Sequence, residues 1–306
     1  MDKVDNEQLV LSSSPHLRDN ISVNKIMWSV NCALLPAILA SIYFFQIRAF
    51  YIILVSVFSC VITEYLFEKV RGQISTLTDG SAILTGILLA LTLPPGFPLW
   101  GVLVGSVVAI GLGKQVFGGL GDNPFNPALV GRAFLLASYP VLMTTWEIDG
   151  VATATPLNLM KMEGISTEYW RLFIGNVAGS IGETSAFALL LGASYLIYKG
   201  YIHWRIPTGM IGTVIFFTWI LGYDPVFHLF AGSLILGAFY MATDLVTTPV
   251  TKKGRWIFGI GAGIIVVVIR LWGGYPEGVM YSILLMNATV PLLNRYTRKP
   301  SLGEVK

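Results

Sequence analysis

The stretch most able to carry chemistry runs from Asp149 to Pro156 and reads D-G-V-A-T-A-T-P. It is small and polar within an otherwise apolar chain, and it follows Trp146-Glu147-Ile148 at the close of an apolar run. A threonine hydroxyl in such a loop is expected to be accessible. Threonine can take a phosphate group, which adds about −1.5 to −2 of charge as a monoester and less when esterified on both sides. The alternative is a Thr/Ala-rich turn whose hydroxyls bond nearby backbone groups. Local sequence by itself favours the turn, so the choice depends on the rest of the chain.

Charged side chains within apolar runs are costly and point to function. Glu64, Asp79, Glu183, Asp224, Asp244 and Arg270 qualify, but all lie near the ends of such runs, where interfacial hydration is the cheaper explanation. His228 stands near the start of an apolar run and has the chemistry of a proton relay, although a lone histidine is more often a satisfied interface residue. His16 and His203 read as solvent-facing. The segment from Lys114 to Arg132, K-Q-V-F-G-G-L-G-D-N-P-F-N-P-A-L-V-G-R, holds four glycines and two Asn-Pro steps. Its backbone amides suit a concavity for an anion or a polar ring system, with a re-entrant turn as the alternative. The spacing of a nucleotide P-loop is missing.

Cys32 and Cys60 lie inside apolar runs without C-x-x-C or Cys/His spacing, so this chain alone cannot assemble a disulfide framework, an iron–sulfur cluster or a zinc site. An electron carrier here is organic or belongs to a partner. No nucleic-acid partner is expected.

The elements that position these residues are membrane helices. The chain of 306 residues is 54% hydrophobic and 12% charged, far from the usual soluble mix, which makes it a polytopic membrane protein. Met1 to Asn24 has neither a basic n-region nor an h-region, so no cleaved signal peptide is expected and the first helix serves as the insertion signal. Apolar runs are drawn at Ile26–Phe45, Ala49–Phe67, Asp79–Leu93, Leu99–Leu112, Pro127–Thr144, Glu183–Tyr198, Pro207–Leu221, Val226–Asp244, Trp256–Leu271 and Val279–Leu293. The expectation is an all-α membrane protein of about ten transmembrane helices. Several runs are shorter than the roughly 17 residues a straight span needs. The sharpest interruption is L-P-P-G-F-P at Leu93 to Pro98, and broken spans are tolerated where freed backbone is buried in protein or lines a site.

Of the 20 Lys and Arg residues, only Arg48, Lys161, Arg171 and Arg270 fall in outer segments when the N-terminus is inside. This bias predicts cytoplasmic termini and an outward Asp149–Pro156 loop. The organisation expected is a cytoplasmic segment 1–25, a membrane domain 26–294 with an outward segment 145–181, and a cytoplasmic tail 295–306. Tyr169, Trp170, Leu172 and Phe173 suggest a piece lying at the membrane surface, in contact with lipid. Ten spans divide into five and five, and an odd repeat inserts the second time upside down. A faint echo of Ala90–Pro95 in Ala242–Pro249 supports two inverted five-helix repeats.

Three segments carry a family resemblance: Gly118 to Leu135 (G-G-L-G-D-N-P-F-N-P-A-L-V-G-R-A-F-L), His228 to Pro249 (H-L-F-A-G-S-L-I-L-G-A-F-Y-M-A-T-D-L-V-T-T-P) and Ile269 to Val279 (I-R-L-W-G-G-Y-P-E-G-V). Together they resemble the D subunit of the Rnf complex, a family related to the B subunit of the sodium-pumping NADH:quinone oxidoreductase. The resemblance covers nearly the whole chain after the first twenty residues. That family has a flavinylation pattern of an acid, two variable residues and S/T-G-A-T, whose last Thr receives FMN through a phosphoester. Here Asp149-Gly150-Val151 precede Ala152-Thr153-Ala154-Thr155, with Ala-Thr in place of the S/T-G pair. The resemblance makes Thr155 the acceptor of covalent FMN and leaves Thr153 as the alternative.

It further implies a membrane subunit of an assembly in the bacterial cytoplasmic membrane that couples ferredoxin:NAD electron transfer to Na+ or H+ movement. Other Rnf subunits would supply the NAD and ferredoxin sites, and a flavin transferase outside the cytoplasm would load the FMN. A second, noncovalent flavin is implied without residues to hold it. The rival class is a solute channel or transporter, which inverted halves would suit equally well.

Overall fold

The computed structural model describes residues 21–72, 76–148, 151–175, 177–183, 185–275 and 277–298. His16, Asp149, Gly150, the first twenty residues and the tail from 299 to 306 therefore lie outside the described residues.

The first helical element, α1 (Val23–Arg71), starts at Ser22, whose hydroxyl accepts the Lys25 N–H, and stops at Gly72, which takes the left-handed conformation at φ 64°. Its 49 residues are interrupted at Gln46 (φ 55°, ψ −142°), so the chain turns there between two helical stretches. These correspond to the apolar runs drawn on either side of Gln46. Helix α2 (Ser81–Leu91) is buried at nearly every position, yet its 11 residues rise only about 16 Å, half of a bilayer core. It is followed by α3 (Leu99–Gly111), α4 (Pro127–Ser138) and the short α5 (Pro140–Thr144). Strands β1 (Trp146–Ile148) and β2 (Val151–Thr153) then pair antiparallel, Trp146 opposite Thr153. This short hairpin stands within an otherwise helical chain, as the all-α expectation has it. Period-2 pairing fits the β-branched and aromatic residues Trp146, Ile148, Val151 and Thr153.

After the hairpin come α6 (Pro156–Glu163), α7 (Tyr169–Ile174), α8 (Ala186–Tyr198), α9 (Arg205–Ile220) and α10 (Pro225–Phe230). Helix α11 (Leu234–Leu236) runs into a π-helical stretch, Gly237–Met241. The chain closes with α12 (Lys252–Trp272) and α13 (Val279–Thr297). Among the described residues, three helices are long and apolar enough to cross a membrane: Val23–Arg71, Leu99–Phe117 and Lys252–Trp272. Ser81–Leu91, Pro127–Ser138, Ala186–Tyr198 and Arg205–Ile220 are shorter apolar helices.

Small residues let these helices approach closely. A Cβ at Gly259 of α12 would meet the Ile206 carbonyl oxygen of α9 at 2.6 Å, and one at Gly86 of α2 would meet Val57 Cα at 2.7 Å. Ala231 is fully buried, and a Cβ at Gly237 would collide with Val279. Those small side chains therefore serve packing within the chain.

Two helices break inside this packing, and each break is satisfied from elsewhere in the chain. Beyond α2, the Leu91 carbonyl accepts the Gly182 N–H at 2.7 Å and the Leu93 carbonyl accepts the Ile181 N–H at 3.0 Å. The run drawn from Val226 to Asp244 is not one helix. Gly232 adopts φ 72°, and the buried Arg270 guanidinium donates to the freed carbonyls of His228 (2.6 Å) and Ala231 (3.0 Å). Backbone polar groups out of reach of water must be paired, and these are.

Candidate functional site

Thr155 sits at the N-cap of α6, with φ −65° and ψ 154°. Pro156 follows at the first helical position, where its missing N–H costs nothing. The Thr155 hydroxyl accepts the Asn158 N–H at 3.2 Å and the residue is only 4% exposed. The expectation of an accessible loop hydroxyl is thus overturned. Burial follows from the docking of α6: Leu157 packs with Leu172, Phe227 and Ala231, and the Lys161 ammonium donates to the Gly273 carbonyl at 2.5 Å. Partial burial pulls the pKa of Lys161 below its ordinary value.

Four charged side chains, three buried and one half-buried, gather near Thr155. Arg132, at the end of the glycine-rich segment and within α4, donates through Nη2 to Glu277 Oε2 at 2.6 Å and lies 3.9 Å from Glu183 through Nη1. Glu183 accepts the Ser180 hydroxyl at 2.8 Å, while Arg270 Nε donates to the Glu277 carbonyl at 3.2 Å. Two guanidinium groups thus face two carboxyl groups. The pairing is incomplete: Arg132 Nε and Glu277 Oε1 are buried without a hydrogen-bond partner among the described residues.

Both residues line a cavity of about 240 Å³. Its remaining walls include Leu136, Met143, Trp146, Asn158, Tyr275, Met280 and Tyr281. Glu277 also faces Thr155 across a narrow space of about 10 Å³. Apolar and aromatic walls with a few converging polar groups are the usual makeup of a small-molecule pocket. The donor set suits a flat ring with polar edges.

The chain matches the sequence model of the NQR2, RnfD, RnfE family over residues 10–303. It belongs to that family. The chain is 51% identical to the D subunit of the proton-translocating ferredoxin:NAD(+) oxidoreductase complex of Clostridium ljungdahlii, covering 96% of each chain. Against the D subunit of the Na(+)-translocating ferredoxin:NAD(+) oxidoreductase complex of Acetobacterium woodii the identity is 49%, over 97% of this chain and 96% of that one. The D subunit of the ion-translocating oxidoreductase complex of Stutzerimonas stutzeri is 40% identical, with 92% of each chain covered.

In this family member the remaining residues singled out from sequence fall into separate places. Glu64, Asp79 and Lys114 come together in a second buried cluster. The Lys114 ammonium donates to Glu64 Oε1 (2.7 Å), Glu64 Oε2 (2.9 Å) and Ser81 Oγ (2.6 Å). Ser81 Oγ in turn donates to Asp79 Oδ1 at 2.5 Å, and Asp244 lines the same small cavity as Lys114 and Ser81. Interfacial hydration therefore does not account for Glu64, Asp79, Glu183 or Arg270, all of which are buried. His228 is buried with neither ring nitrogen partnered among the described residues, and His203 is exposed as expected.

Asp224 caps α10, accepting the N–H groups of Val226 (2.9 Å) and Phe227 (3.2 Å), and it also accepts the Tyr169 hydroxyl. Burial pushes the Asp224 carboxyl up, but these hydrogen bonds outweigh it and leave its pKa below the ordinary value. The same bond to Asp224 holds the Tyr169 phenol above its ordinary value. The backbone of Thr153 lies in β2, two residues before the α6 cap. Glu277 was not singled out from sequence. The available signal was an acid in the loop I-R-L-W-G-G-Y-P-E-G-V, whose Arg270 is its neighbour in space.

Proposed function

We propose that this chain carries FMN on Thr155 through a phosphoester, within an Rnf-type complex that couples electron transfer between ferredoxin and NAD to movement of Na+ or H+. The chain is a membrane subunit of an ion-translocating electron-transport complex. The carrying observation is that Thr155, at the position matching the flavin acceptor, caps a helix beside a buried charged cluster and a ring-sized cavity. A flavin supplies the electron-carrying chemistry, which the chain's own side chains lack.

The chain's residues bind and exclude water. Thr155 is held by Asn158 at the N-terminus of α6, where negative charge is favoured. Leu157 and Leu172 line the same narrow space as Thr155, and such apolar cover keeps solvent from a reduced carrier. Because the hydroxyl is covered, the flavin transferase has to act before α6 docks or when it lifts. The bias of basic residues supports termini on the cytoplasmic side of a bacterial membrane with the Thr155 segment outside, in contact with lipid around α7. Ten spans in two inverted repeats are part of this reading, supported by the echo of Ala90–Pro95 in Ala242–Pro249. A second, noncovalent flavin and the other Rnf subunits complete the proposed assembly. Family membership displaces the solute-transporter alternative.

The test is a denaturing gel viewed under ultraviolet light, with the chain made alongside its flavin transferase. A covalent flavin survives denaturation, so the band should fluoresce. Thr155→Val should abolish it, and Thr155→Ser should keep it by retaining the hydroxyl and the cap. Thr153→Val should leave it in place. Loss of the band with Thr153→Val and not with Thr155→Val would move the attachment to Thr153. A dark band from the unmutated chain would sink the flavin assignment.

A further inference from the structure

We infer that the adjoining starts of α9 and α12 form a binding site for the phosphate group of an anionic phospholipid, with Arg205 and Arg255 as its cationic walls and Trp204 and Trp256 as its aromatic ones. A Cβ at Gly259 of α12 would meet the Ile206 carbonyl oxygen of α9 at 2.6 Å. One at Gly263, a turn further along α12, would meet the carbonyl oxygen of Met210, a turn further along α9, at 2.7 Å. The two helices therefore run parallel from a common end. Because α12 is long and apolar enough to cross a membrane, that end lies at a membrane interface, the level at which tryptophan gathers. The Trp204 and Trp256 rings meet there edge to face, with centroids 5.6 Å apart.

Positive charge at this end lacks a carboxylate partner. Partial desolvation, and then the charges of Arg255 and Arg205, hold the His203 imidazole below its ordinary pKa, so both guanidiniums stand close to that ring. The Arg205 guanidinium also lies 5.1 Å from the centre of the Trp204 ring, and Arg255 donates Nε to the Pro249 carbonyl at 2.9 Å. The ion pairs among the described residues are Lys114 with Glu64, Arg132 with Glu183 and Glu277, and Arg171 with Glu168. Neither Arg205 nor Arg255 is among them, and Lys252 and Lys253 add further positive charge in the first turn of α12. Like charges gathered at a membrane surface favour an anion between them. The start of α9 has no side-chain cap, so its positive helix end adds to the same field.

The occupant is a lipid and not a free anion, because the basic end opens onto an apolar stripe. Trp256, Ile260, Ile264 and Val268 are exposed and recur every fourth residue, so they share one face of α12. A Cβ at Gly209 of α9 would touch the Trp256 ring and the Ile260 backbone nitrogen, each at 3.4 Å, so the stripe borders the seam between the two helices. A phospholipid fits both parts at once, with acyl chains along the stripe and its phosphate at the arginines. A soluble anion would use the arginines alone.

The experiment uses the assembled complex in nanodiscs of phosphatidylcholine that contain a small fraction of phosphatidylglycerol bearing a diazirine close to its headgroup. After irradiation, peptide mass spectrometry locates the label, which should fall at His203 to Arg205 and at Lys252 to Trp256. Arg205→Gln/Arg255→Gln should raise the lipid fraction needed for half-labelling about thirtyfold, as expected for two basic groups at a charged membrane surface. Arg205→Lys/Arg255→Lys should keep most of the affinity. Arg205→Gln alone leaves the Arg255 bond to Pro249 intact and should cost about fivefold, which keeps the test decisive where the double variant fails to assemble. Lys69→Gln/Lys199→Gln removes the same charge from other exposed positions and should leave the labelling unchanged. An equal loss in that control would overturn the site, since the attraction would then be diffuse. So would equal labelling by a diazirine-bearing phosphatidylcholine, or displacement of the label by excess inorganic phosphate. Label confined to other chains of the assembly would also overturn it, because a partner subunit would then cover these residues.

Discussion

The Lys114–Glu64 pair makes a sharp prediction about what a buried charge contributes. Lys114 is 1% exposed and Glu64 is fully buried. The ammonium spends its donors on both Glu64 oxygens and on Ser81 Oγ, all within 2.9 Å. Lys114→Met strands a carboxylate among apolar helices, and removal of one partner of a buried pair costs about 3–5 kcal/mol. Glu64→Leu strands the ammonium, although Ser81 still accepts from it, so its cost should fall at the lower end of that range. The double variant Lys114→Met/Glu64→Leu leaves neither member of the pair without the other, with Asp79 still held by the Ser81 N–H and hydroxyl, and such replacements are often neutral or stabilising. The pair should therefore show a coupling energy of roughly 6 kcal/mol or more, well above the range for ordinary residues in direct contact. The assay is thermal unfolding of the purified assembly in one detergent, where each kcal/mol moves the midpoint by roughly 2–4 °C in chains of 150–250 residues. Each single variant should fall by roughly 6 °C or more and the double should return to near the parent. Additive losses in the double variant would refute the reasoning, because they would mean the two groups stabilise the fold independently.

Two further outcomes follow from other parts of the structure. A Cβ at Gly192 of α8 would collide with the Ala33 carbonyl oxygen and the Tyr240 hydroxyl, so Gly192→Ala should cost about 1–3 kcal/mol by overpacking. Gly212→Ala, where nothing lies within 4 Å, should be neutral or slightly stabilising; equal behaviour of the two in a thermal inactivation series would contradict the helix contact. The Tyr169–Asp224 bond should hold α7 against α10 across the middle of the pH range. Asp224 is depressed, so its share is present above its ordinary value of 3.8 and lost as pH falls through the lower folded value. Tyr169 is raised, so its share is present below its ordinary value of 10.0 and lost as pH climbs through the higher one. Emission anisotropy of Trp170 should therefore drop at both extremes, and Tyr169→Phe should remove the alkaline drop; an alkaline drop that persists in that variant would place its origin elsewhere.

Helix starts were legible from sequence because they use local chemistry. Asn126-Pro127, Thr155-Pro156 and Asp224-Pro225 each put a capping side chain before a proline at the first helical position, and all three cap as such pairs should. The break near Gln46 was legible as a polar interruption between apolar runs. Burial of Thr155 was not, because it depends on α6 meeting α10, which the sequence holds far from it. For the same reason the charged residues looked interfacial when taken one at a time. Arg132 and Glu277 are 145 positions apart, and Lys114 and Glu64 are 50 apart. Hydropathy along the chain registers the cost of each charge and says nothing about its partner.

Arg270 shows how a structural need places chemical groups. Helix α10 ends inside the protein, and its freed carbonyls at His228 and Ala231 require donors there. One guanidinium meets both and, through Nε, also holds the Glu277 carbonyl. The loop that carries Tyr275 and Glu277 is thereby fixed to the end of α10, which in turn packs on Leu157, two residues beyond Thr155. Glu277 then meets Arg132 at 2.6 Å in the wall of the cavity. A break in a membrane helix thus calls for a buried cation, the cation anchors a loop, and the loop brings a carboxylate beside the flavin acceptor proposed here. Lysine cannot replace this arrangement, because a single ammonium lacks the planar fork that reaches three carbonyl oxygens at once.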